Sequence, residues 1–350
     1  MYHSDSKPKI FHGLVNYGTQ SGLLANELRS NGFDALSVTF YDKFKRQTDV
    51  ELKHGGSILE KIYNRIWNYQ FLIKCFFKFD IFHFYYGHTL MPNQRDLPFY
   101  RIFGKKVVME YLGNDIQGYK ESIDKYRFTN VKFMMTEEEG FVYDYRIKKR
   151  FANEIKYCNK LIVCAPYLYE FSESATVLPL AVDISRIEFT AFPNNKDSIR
   201  IMHAPTHRGF KGTDFIERAI QRLISEGYNI QFDLVENVTH EELLNRYKLC
   251  HLFIDQIMAG WYGTATIEAM AIGRPVIVST RREYFEFFEY SDEVPTINAD
   301  PDIIYDVLRE TLDNGFEFLE IIGKKSREFV EQVHDVKIVT DKLITLYDKL

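Results

Sequence analysis

The sequence predicts an α/β fold with parallel sheets, divided between two domains that follow one another along the chain. Short runs of Ile, Val, Leu and Phe alternate with segments of helical length, and loops that contain glycine join them. A chain of 350 residues with 45% hydrophobic residues is long enough for two such domains with packed cores. The first repeat consists of strand 9–15, a turn that contains Gly18, helix 23–31 and strand 35–40.

The same alternation of strand and helix continues to the end of the chain. Further strands are predicted at 80–86, 105–111, 161–165, 199–205, 230–235, 252–254 and 276–278. Helices are predicted at 58–79, 96–103, 137–159, 214–226, 241–249 and 303–314, with a pair of helices after Gly315. Residues 42–56 and 118–136 are polar or mixed in composition, so they are expected to form loops.

Charge and cysteine usage argue against several classes of protein. The formal net charge of −5 argues against a nucleic-acid-binding protein, because such proteins usually carry a large basic excess. The four cysteines show neither CxxC spacing nor a paired framework, which indicates buried thiols in a reducing compartment. No metal-ligand spacing of His or Cys is present, and no apolar run reaches the length of a membrane span.

Helix 58–79 has two interpretations. It is rich in Ile, Trp, Phe and Tyr, with lysines and arginines between them. Apolar residues cover most of its circumference, which favours a helix buried against a sheet. The alternative is a helix that lies on a membrane surface, where aromatic and basic residues are common.

The strongest functional signal lies between the strands predicted at 252–254 and 276–278. Gly260 and Gly263 are expected to allow positive φ angles and a close approach of a ligand to the backbone. Thr264 or Thr266 is expected to cap a short helix that carries Glu268. The helix N-terminus suits a phosphate, and the carboxylate suits sugar hydroxyls, so the predicted ligand is a nucleoside diphosphate.

These residues resemble the donor-site signature of GT-B glycosyltransferases, in particular glycosyltransferase family 4. The resemblance rests on Gly263 followed at 267–277 by the sequence I-E-A-M-A-I-G-R-P-V-I. In the family, the glutamate that matches Glu268 binds the ribose hydroxyls, and the loop residues Gly260, Gly263 and Thr264 belong to the donor site. A second family glutamate, close to the donor sugar, corresponds to Gly260 and is absent here. Asp255 would replace it only if the loop folds back.

Two cations lie close to the start of helix 214–226. Arg208 and Lys211 flank glycines, and such cations can clamp a diphosphate. The resemblance implies that they neutralise the leaving nucleoside diphosphate, and they are therefore the candidate catalytic residues. The alternative is that both are solvated surface cations.

The resemblance is weaker in the first half of the chain. Gly18 and Thr19 lie in the first loop, which in the family faces the cleft, so they are candidate donor contacts; a plain tight turn is the alternative. His88 follows a strand, at the sheet edge where α/β proteins bind ligands. Asn114 and Asp115 resemble the end of the family's His-Gly-Ser-Asp segment, although Leu112 replaces its histidine. Capping of a turn is the alternative role for these two residues.

The resemblance implies two Rossmann-like domains that face each other across a cleft. The predicted limits are an acceptor domain at 1–183, a linker at 184–197, a nucleotide-sugar domain at 198–334 and a helix at 335–350 that crosses back to the first domain. Residues 118–136 are expected to face the acceptor.

The implied activity is a retaining, metal-independent transfer of a sugar from a nucleotide-sugar to a saccharide, lipid-linked or other glycoconjugate acceptor. The resemblance favours a UDP-sugar as the donor and requires no cofactor. An inactive binding or accessory subunit and a sugar-nucleotide epimerase are the alternatives. The expected location is the cytoplasm, with peripheral contact at the inner face of the membrane if helix 58–79 lies on a bilayer. Neither the sugar nor the acceptor follows from the sequence.

Overall fold

The structure is a computed structural model that describes residues 7–42, 45–113, 115–290 and 294–350. Its contacts divide the chain into two compact units. The first unit comprises Met1–Gln117, Asp144–Ala181 and Val336–Leu350, and the second comprises Gly118–Tyr143 and Val182–Asp335. Each unit contains one parallel sheet, so the predicted α/β class with two parallel sheets is confirmed.

The sheet of the first unit has seven strands in the order β3-β2-β1-β4-β5-β6-β7. The strands are β1 (Ile10–Leu14), β2 (Ala35–Thr39), β3 (Val50–Glu51), β4 (Ile81–Tyr85), β5 (Lys106–Tyr111), β6 (Lys160–Val163) and β7 (Thr176–Val177). All neighbouring pairs are parallel; in the central pair, Ile10 lies opposite Ile81. Both faces of β1 and β4 are buried, which explains why these strands are mostly apolar and not alternating; His12 and His83 are their buried polar residues.

Five long or medium helices accompany this sheet in the described residues. They are α1 (Gln20–Ser30), α2 (Ile58–Lys78), α3 (Leu97–Ile102), α5 (Glu137–Tyr157, which begins in the second unit) and α12 (Val336–Tyr347). The helix α12 packs against α1, and its residues Val339 and Leu343 join the core formed by Ile10, Leu24 and Ile81. The terminal helix therefore belongs to the first unit although it follows the second in sequence.

The sheet of the second unit has five parallel strands in the order β12-β11-β10-β8-β9. The strands are β8 (Ile199–His203), β9 (Ile230–Leu234), β10 (Leu252–Ile254), β11 (Val276–Val278) and β12 (Ile297–Asn298). The helices are α4 (Tyr119–Lys125), α6 (Arg208–Lys211), α7 (Thr213–Ser225), α8 (His240–Tyr247), α9 (Thr264–Ile272), α10 (Ile304–Asp313) and α11 (Gly315–Val333). Its core includes Ile201, Ile220 and Ile254, from two strands and the amphipathic helix α7.

The segment 118–136, which was expected to form a loop, differs from that expectation, and with the first turns of α5 it makes up the segment 118–143 of the second unit. It contains α4 and a short 3₁₀ helix (Asn130–Phe133), and it packs within the second unit. The aromatic ring of Phe133 lies against Gly209, where a Cβ atom would come within 2.5 Å of that ring. The predicted domain limits stay a prediction, and the contacts assign this segment to the unit that contains Arg208 and Lys211.

Helix α2 is present as predicted, but its expected burial is wrong. Only Leu72 and Cys75 of this helix are classed as buried. Its large apolar side chains are mostly exposed, including Ile58 at 77% and Leu59 at 79%. A sequence rich in apolar residues around the whole helix could not distinguish a buried helix from one with an apolar outer face.

Candidate functional site

The loop after β10 and the first turn of α9 form the centre of the candidate site. Gly260 has the predicted positive φ of 81°, whereas the φ of −119° at Gly263 is ordinary extended backbone. Gly263 itself is the N-cap of α9, and Thr264 is the first residue of the helix. Among the described residues, no side chain caps the N-terminus of α9. The predicted capping by Thr264 or Thr266 is therefore wrong.

Thr266 instead takes part in a buried chain of polar contacts that reaches Lys211. The Thr266 hydroxyl donates to Asp255 Oδ2 at 2.6 Å, and Lys211 Nζ donates to Asp255 Oδ1 at 2.5 Å. Asp255 is 1% exposed and Lys211 is 8% exposed. A single carboxylate thus holds the ammonium group beside the first turn of α9. The Asp255 carboxylate, which the sequence suggests as a replacement for the missing family glutamate, instead binds Lys211 and Thr266.

The backbone around Lys211 is held in place by close packing. Gly212 has a φ of 82°, and a Cβ atom there would lie 2.5 Å from Ile257. The carbonyl of Lys211 accepts the Ile257 amide at 3.1 Å, which ties the α6 turn to the loop after β10. Glycine is required at this junction because another residue would meet both an unfavourable φ and a steric clash.

His203 is a further positioning residue that the sequence did not reveal. Its Nδ1 lies 2.7 Å from the Ile254 carbonyl, so Nδ1 carries the proton and Nε2 accepts from the Thr213 hydroxyl at 2.9 Å. Burial lowers the pKa of His203 to about 4, which keeps the ring neutral. The neutral ring therefore connects β8, β10 and the start of α7. A histidine at the end of a predicted strand was the available signal.

Arg208 is partly exposed but already engaged by two carboxylates. Its Nη2 donates to Glu217 at 2.6 Å and its Nη1 donates to Glu236 at 3.3 Å. The hydrogen bond that Arg208 donates to Glu217 is the main cause of a raised pKa for Arg208. A diphosphate bound by Arg208 would have to replace or share these carboxylates. The alternative of a freely solvated cation does not describe Arg208 in this structure.

Glu268 lies on α9, one turn beyond Thr264, and its carboxylate pairs with a histidine. His240 Nε2 donates to Glu268 Oε1 at 2.8 Å, and the Glu268 side chain is 17% exposed. The hydrogen bond to Glu268 raises the pKa of His240. His240 begins α8, whose N-cap is Thr239. Glu268 is accessible enough to accept further hydrogen bonds, and His240 orients it.

The position of the missing family glutamate is filled by an arginine from another loop. A Cβ atom at Gly260 would lie 2.4 Å from Arg281 Nε, and the Arg281 amide donates to the Gly260 carbonyl at 2.9 Å. The guanidinium of Arg281 stacks at 3.4 Å on the ring of Tyr126, in the segment 118–143. Gly260 therefore leaves room for Arg281. No local sequence pattern indicates this contact, because Tyr126 and Arg281 are far apart in the chain.

In the first unit, Gly18 and Thr19 form a turn with left-handed backbone. Their φ angles are 52° and 66°, and Thr19 is the N-cap of α1, although in the part of the chain that the structure describes its side chain makes no capping hydrogen bond. The helix is held by Gln20, whose Nε2 donates to the Ala181 carbonyl at 2.9 Å. At Gly22 a Cβ atom would lie 1.9 Å from the Gln47 carbonyl. The turn is well braced, and its proposed contact with a donor remains a prediction.

His88 lies after β4 and lines a pocket of about 570 Å³ within the first unit. The other lining residues include Lys53, Lys61 and Arg65. Desolvation by surrounding protein atoms, and then the Arg150 charge, lowers the pKa of His88, although its side chain reaches the surface. The lowered pKa favours the neutral ring, which can accept a hydrogen bond from a ligand hydroxyl.

Asp115 caps a turn, and Asn114 lies outside the described residues. The Asp115 carboxylate accepts the Leu112 amide at 3.1 Å, and Arg150 donates to the Asp115 carbonyl. Burial raises the pKa of Asp115 to about 7. These contacts agree with the capping alternative. A role of Asp115 toward an acceptor remains a prediction.

The structure thus brings Arg208, Lys211, Gly260, Gly263, Thr264 and Glu268 into the second unit. Gly18, Thr19, His88 and Asp115 belong to the first. Among the described residues, no group of three or more His, Cys, Asp or Glu side chains is arranged to hold a metal ion. In the same residues, no helix is long and apolar enough to cross a membrane.

Solved structures with the GT-B fold are similar to the whole chain. Sucrose-phosphate synthase from Thermosynechococcus elongatus has a TM-score of 0.59 at 15% identity, with 98% of each chain covered. HepE from Anabaena, in complex with UDP and glucose, has a TM-score of 0.63 at 12% identity, covering 98% of this chain and 100% of its own. MnaA from S. aureus, solved with UDP, has a TM-score of 0.54 at 14% identity, covering 97% of this chain and 95% of its own.

These likenesses show that the chain has the GT-B fold, as the sequence predicts. The identities are low, so they establish the fold alone. No protein-family model and no curated protein matches the sequence.

Proposed function

We propose that the chain is a glycosyltransferase that moves a sugar from a nucleotide-sugar to a saccharide, lipid-linked or other glycoconjugate acceptor. The observation that carries the proposal is the contact chain Lys211–Asp255–Thr266, which fixes a buried ammonium beside the first turn of α9. A cation next to a helix N-terminus is an arrangement that favours a diphosphate. HepE and MnaA, which share the fold, were solved with UDP, and HepE also with UDP-glucose; this supports a UDP-sugar as the donor.

The cations would act on the leaving group. As the bond between the sugar and the diphosphate breaks, negative charge grows on the diphosphate, and Lys211 and the amides of the first turn of α9 lie where they can stabilise it. Arg208 would join them by moving from Glu217 and Glu236 to a phosphate oxygen. Glu268, oriented by His240, would accept hydrogen bonds from the ribose hydroxyls.

We infer retention at the anomeric carbon and independence from metal ions from the resemblance to family 4. The cationic side chains supply the charge that a metal ion supplies in other transferases. Turnover is therefore expected to continue in EDTA. Loss of turnover in EDTA that is restored by Mg²⁺ or Mn²⁺ would contradict the proposed electrostatics.

An inactive relative that serves as a binding or accessory subunit is the second candidate. Gly260 and Leu112 replace the two family residues close to the donor sugar, and this favours loss of activity. The retained Lys211 and Glu268 favour a working nucleotide site. A sugar-nucleotide epimerase would need additional acid and base groups, and the loss of a histidine and a glutamate argues against it.

The proposal is tested first by a thermal-shift screen with UDP, GDP, ADP and their common sugar derivatives. A ligand that binds the native state raises the apparent unfolding temperature. We expect a shift with UDP and UDP-sugars. If none of these ligands produces a shift, the nucleotide site is refuted. Turnover is then measured with each ligand that does produce a shift.

A further inference from the structure

Helix α2 presents an exposed apolar stripe beside its packed face. Residues 58, 62, 66, 69, 73 and 77 recur every three or four positions, so they align on one side of the helix. All six are exposed; Ile66 is 53% exposed and Ile73 is 56% exposed. At 100° per residue, the buried residues Leu72 and Cys75 lie outside the stripe, on the side where Lys61 and Arg65 border it. Such a face is unusual in a helix that contacts water alone.

Basic residues flank this stripe on both sides. At 100° per residue, Lys61 and Arg65 lie along one edge and Lys74 and Lys78 along the other. Glu60 is the single acidic residue in the helix sequence, and it accepts the Ser57 amide in the N-terminal cap. With four basic residues and one acidic residue, the helix carries a net charge of +3 in a chain whose net charge is −5.

The apolar surface continues from the C-terminal end of α2 onto α3. The rings of Phe77 and Phe103 are 6.0 Å apart, and Ile102 beside them is 73% exposed. A second pocket, of about 300 Å³, opens at this end and is lined by basic side chains. These are Arg101, Lys105, Lys106 and Lys156. Apolar and cationic groups thus accompany one another along the whole length of the helix.

We propose that α2, together with the exposed end of α3, lies on the surface of an anionic lipid bilayer. The apolar stripe enters the boundary between headgroups and acyl chains, and the flanking cations contact the lipid phosphates. Long basic side chains suit this position because their alkyl stems lie on the apolar surface while their charges reach water.

A second copy of this chain fits the face less well. A two-fold contact would place the same surface on both partners. The cationic rows of the two helices would then meet one another, and like charges at an interface are unfavourable. An anionic bilayer complements both the apolar stripe and its cationic edges.

The proposed binding of α2 to lipid does not depend on the proposed catalytic activity, because it is measured by the binding of the chain to vesicles alone. It does bear on the acceptor: the His88 pocket is lined by Lys61 and Arg65 from the same helix. An acceptor carried by a lipid would reach that pocket from the bilayer.

The test is flotation of the full chain with vesicles of phosphatidylcholine, with and without about one-third phosphatidylglycerol. We expect the wild type to float with the anionic vesicles and to be released by salt. The variant I62D/I66D/I73D should bind them at least about tenfold more weakly. The variant K61Q/R65Q/K74Q should lose roughly a hundredfold in affinity for anionic vesicles.

The matched control is I224D/L249D/I321D, which alters three exposed apolar residues of the second unit. It should bind vesicles like the wild type, and all variants should keep the wild-type unfolding temperature. Equal flotation of the α2 variants and the wild type would overturn the proposal. So would a wild type that does not float but forms a dimer that I62D/I66D/I73D dissociates in sedimentation equilibrium.

Discussion

Lys211 and Asp255 form a buried ion pair, with 2.5 Å between the ammonium nitrogen and a carboxylate oxygen. The side chains are 10% and 1% exposed. Because the carboxylate also accepts the Thr266 hydroxyl, the pair links α6, the end of β10 and α9. Lys211 is therefore a structural residue as well as the candidate stabiliser of a leaving diphosphate.

Removal of the ammonium should destabilise the fold. Lys211→Ala leaves Asp255 buried without its cation, and breaking a buried pair in this way costs about 3–5 kcal/mol. Lys211→Gln should cost less because its amide can still donate to Asp255. Urea unfolding measures both. The double variant Lys211→Ala/Asp255→Ala should lose less than the sum of the single losses, and strict additivity would mean that the pair is not coupled.

Loss of the Glu268 carboxylate should weaken nucleotide binding. A hydrogen bond to a charged group contributes roughly 1.5–3 kcal/mol, so Glu268→Ala should reduce affinity for UDP at least about tenfold. Titration calorimetry measures the change. Glu241→Ala, on the neighbouring helix α8, is the control and should bind like the wild type. Unchanged affinity in a folded Glu268→Ala protein would remove Glu268 from the ribose site.

Arg274 should be essential to the stability of the second unit. It is 0% exposed and donates to backbone carbonyls, including those of Tyr247 and Ala191. Arg274→Met fills a similar volume but leaves these carbonyls without their donor. We expect a loss of about 3 kcal/mol or more in urea unfolding, since each unsatisfied buried group costs roughly 1–3 kcal/mol. Arg218→Met, an exposed control on α7, should lose less than about 0.5 kcal/mol.

Glu110 should make stability dependent on pH. It is buried 2.8 Å from His83, which in turn contacts the Tyr347 hydroxyl at 2.6 Å. Burial raises the pKa of Glu110 to about 8, so the folded chain keeps a proton that the unfolded chain releases from about pH 4.5 upward. Its contribution to stability therefore declines as pH rises to about 8.

The comparison with Glu110→Gln isolates this effect. Between pH 6.5 and 8.5, the free energy of unfolding of the wild type should fall relative to that of the variant by about 1 kcal/mol or more. Burial lowers the pKa of His83 to about 3, so titration of His83 affects stability below this range. A constant difference between the two proteins across the range would show that Glu110 does not titrate in the fold.

Periodicity and turn residues were sufficient to predict most strands and helices of this fold. The strand β4 and the helix α7 are examples, because β4 is apolar apart from His83 and α7 has a regular apolar stripe. The short edge strands β3, β7 and β12 were not predicted. Each has two residues, too few for a pattern to show.

The contacts of the site were less predictable than its position. The sequence identified Lys211 and Glu268, but their partners Asp255 and His240 follow from tertiary packing. Arg281 was missed because its contact with Gly260 depends on how two loops meet. The outward face of α2 was misjudged because its sequence is apolar on most sides, and only the structure shows which side is packed.

The central claim is that the cation at Lys211 stabilises a leaving nucleoside diphosphate. The direct measurement is release of free nucleotide from each nucleotide-sugar that binds, with cell extract as the source of acceptor, for wild type and Lys211→Gln. The account predicts turnover by the wild type and a fall in kcat of about a hundredfold or more in the variant, with a smaller loss of nucleotide-sugar affinity. If the wild type binds nucleotide-sugars yet turns over none of them, the account is contradicted and the chain is a binding subunit.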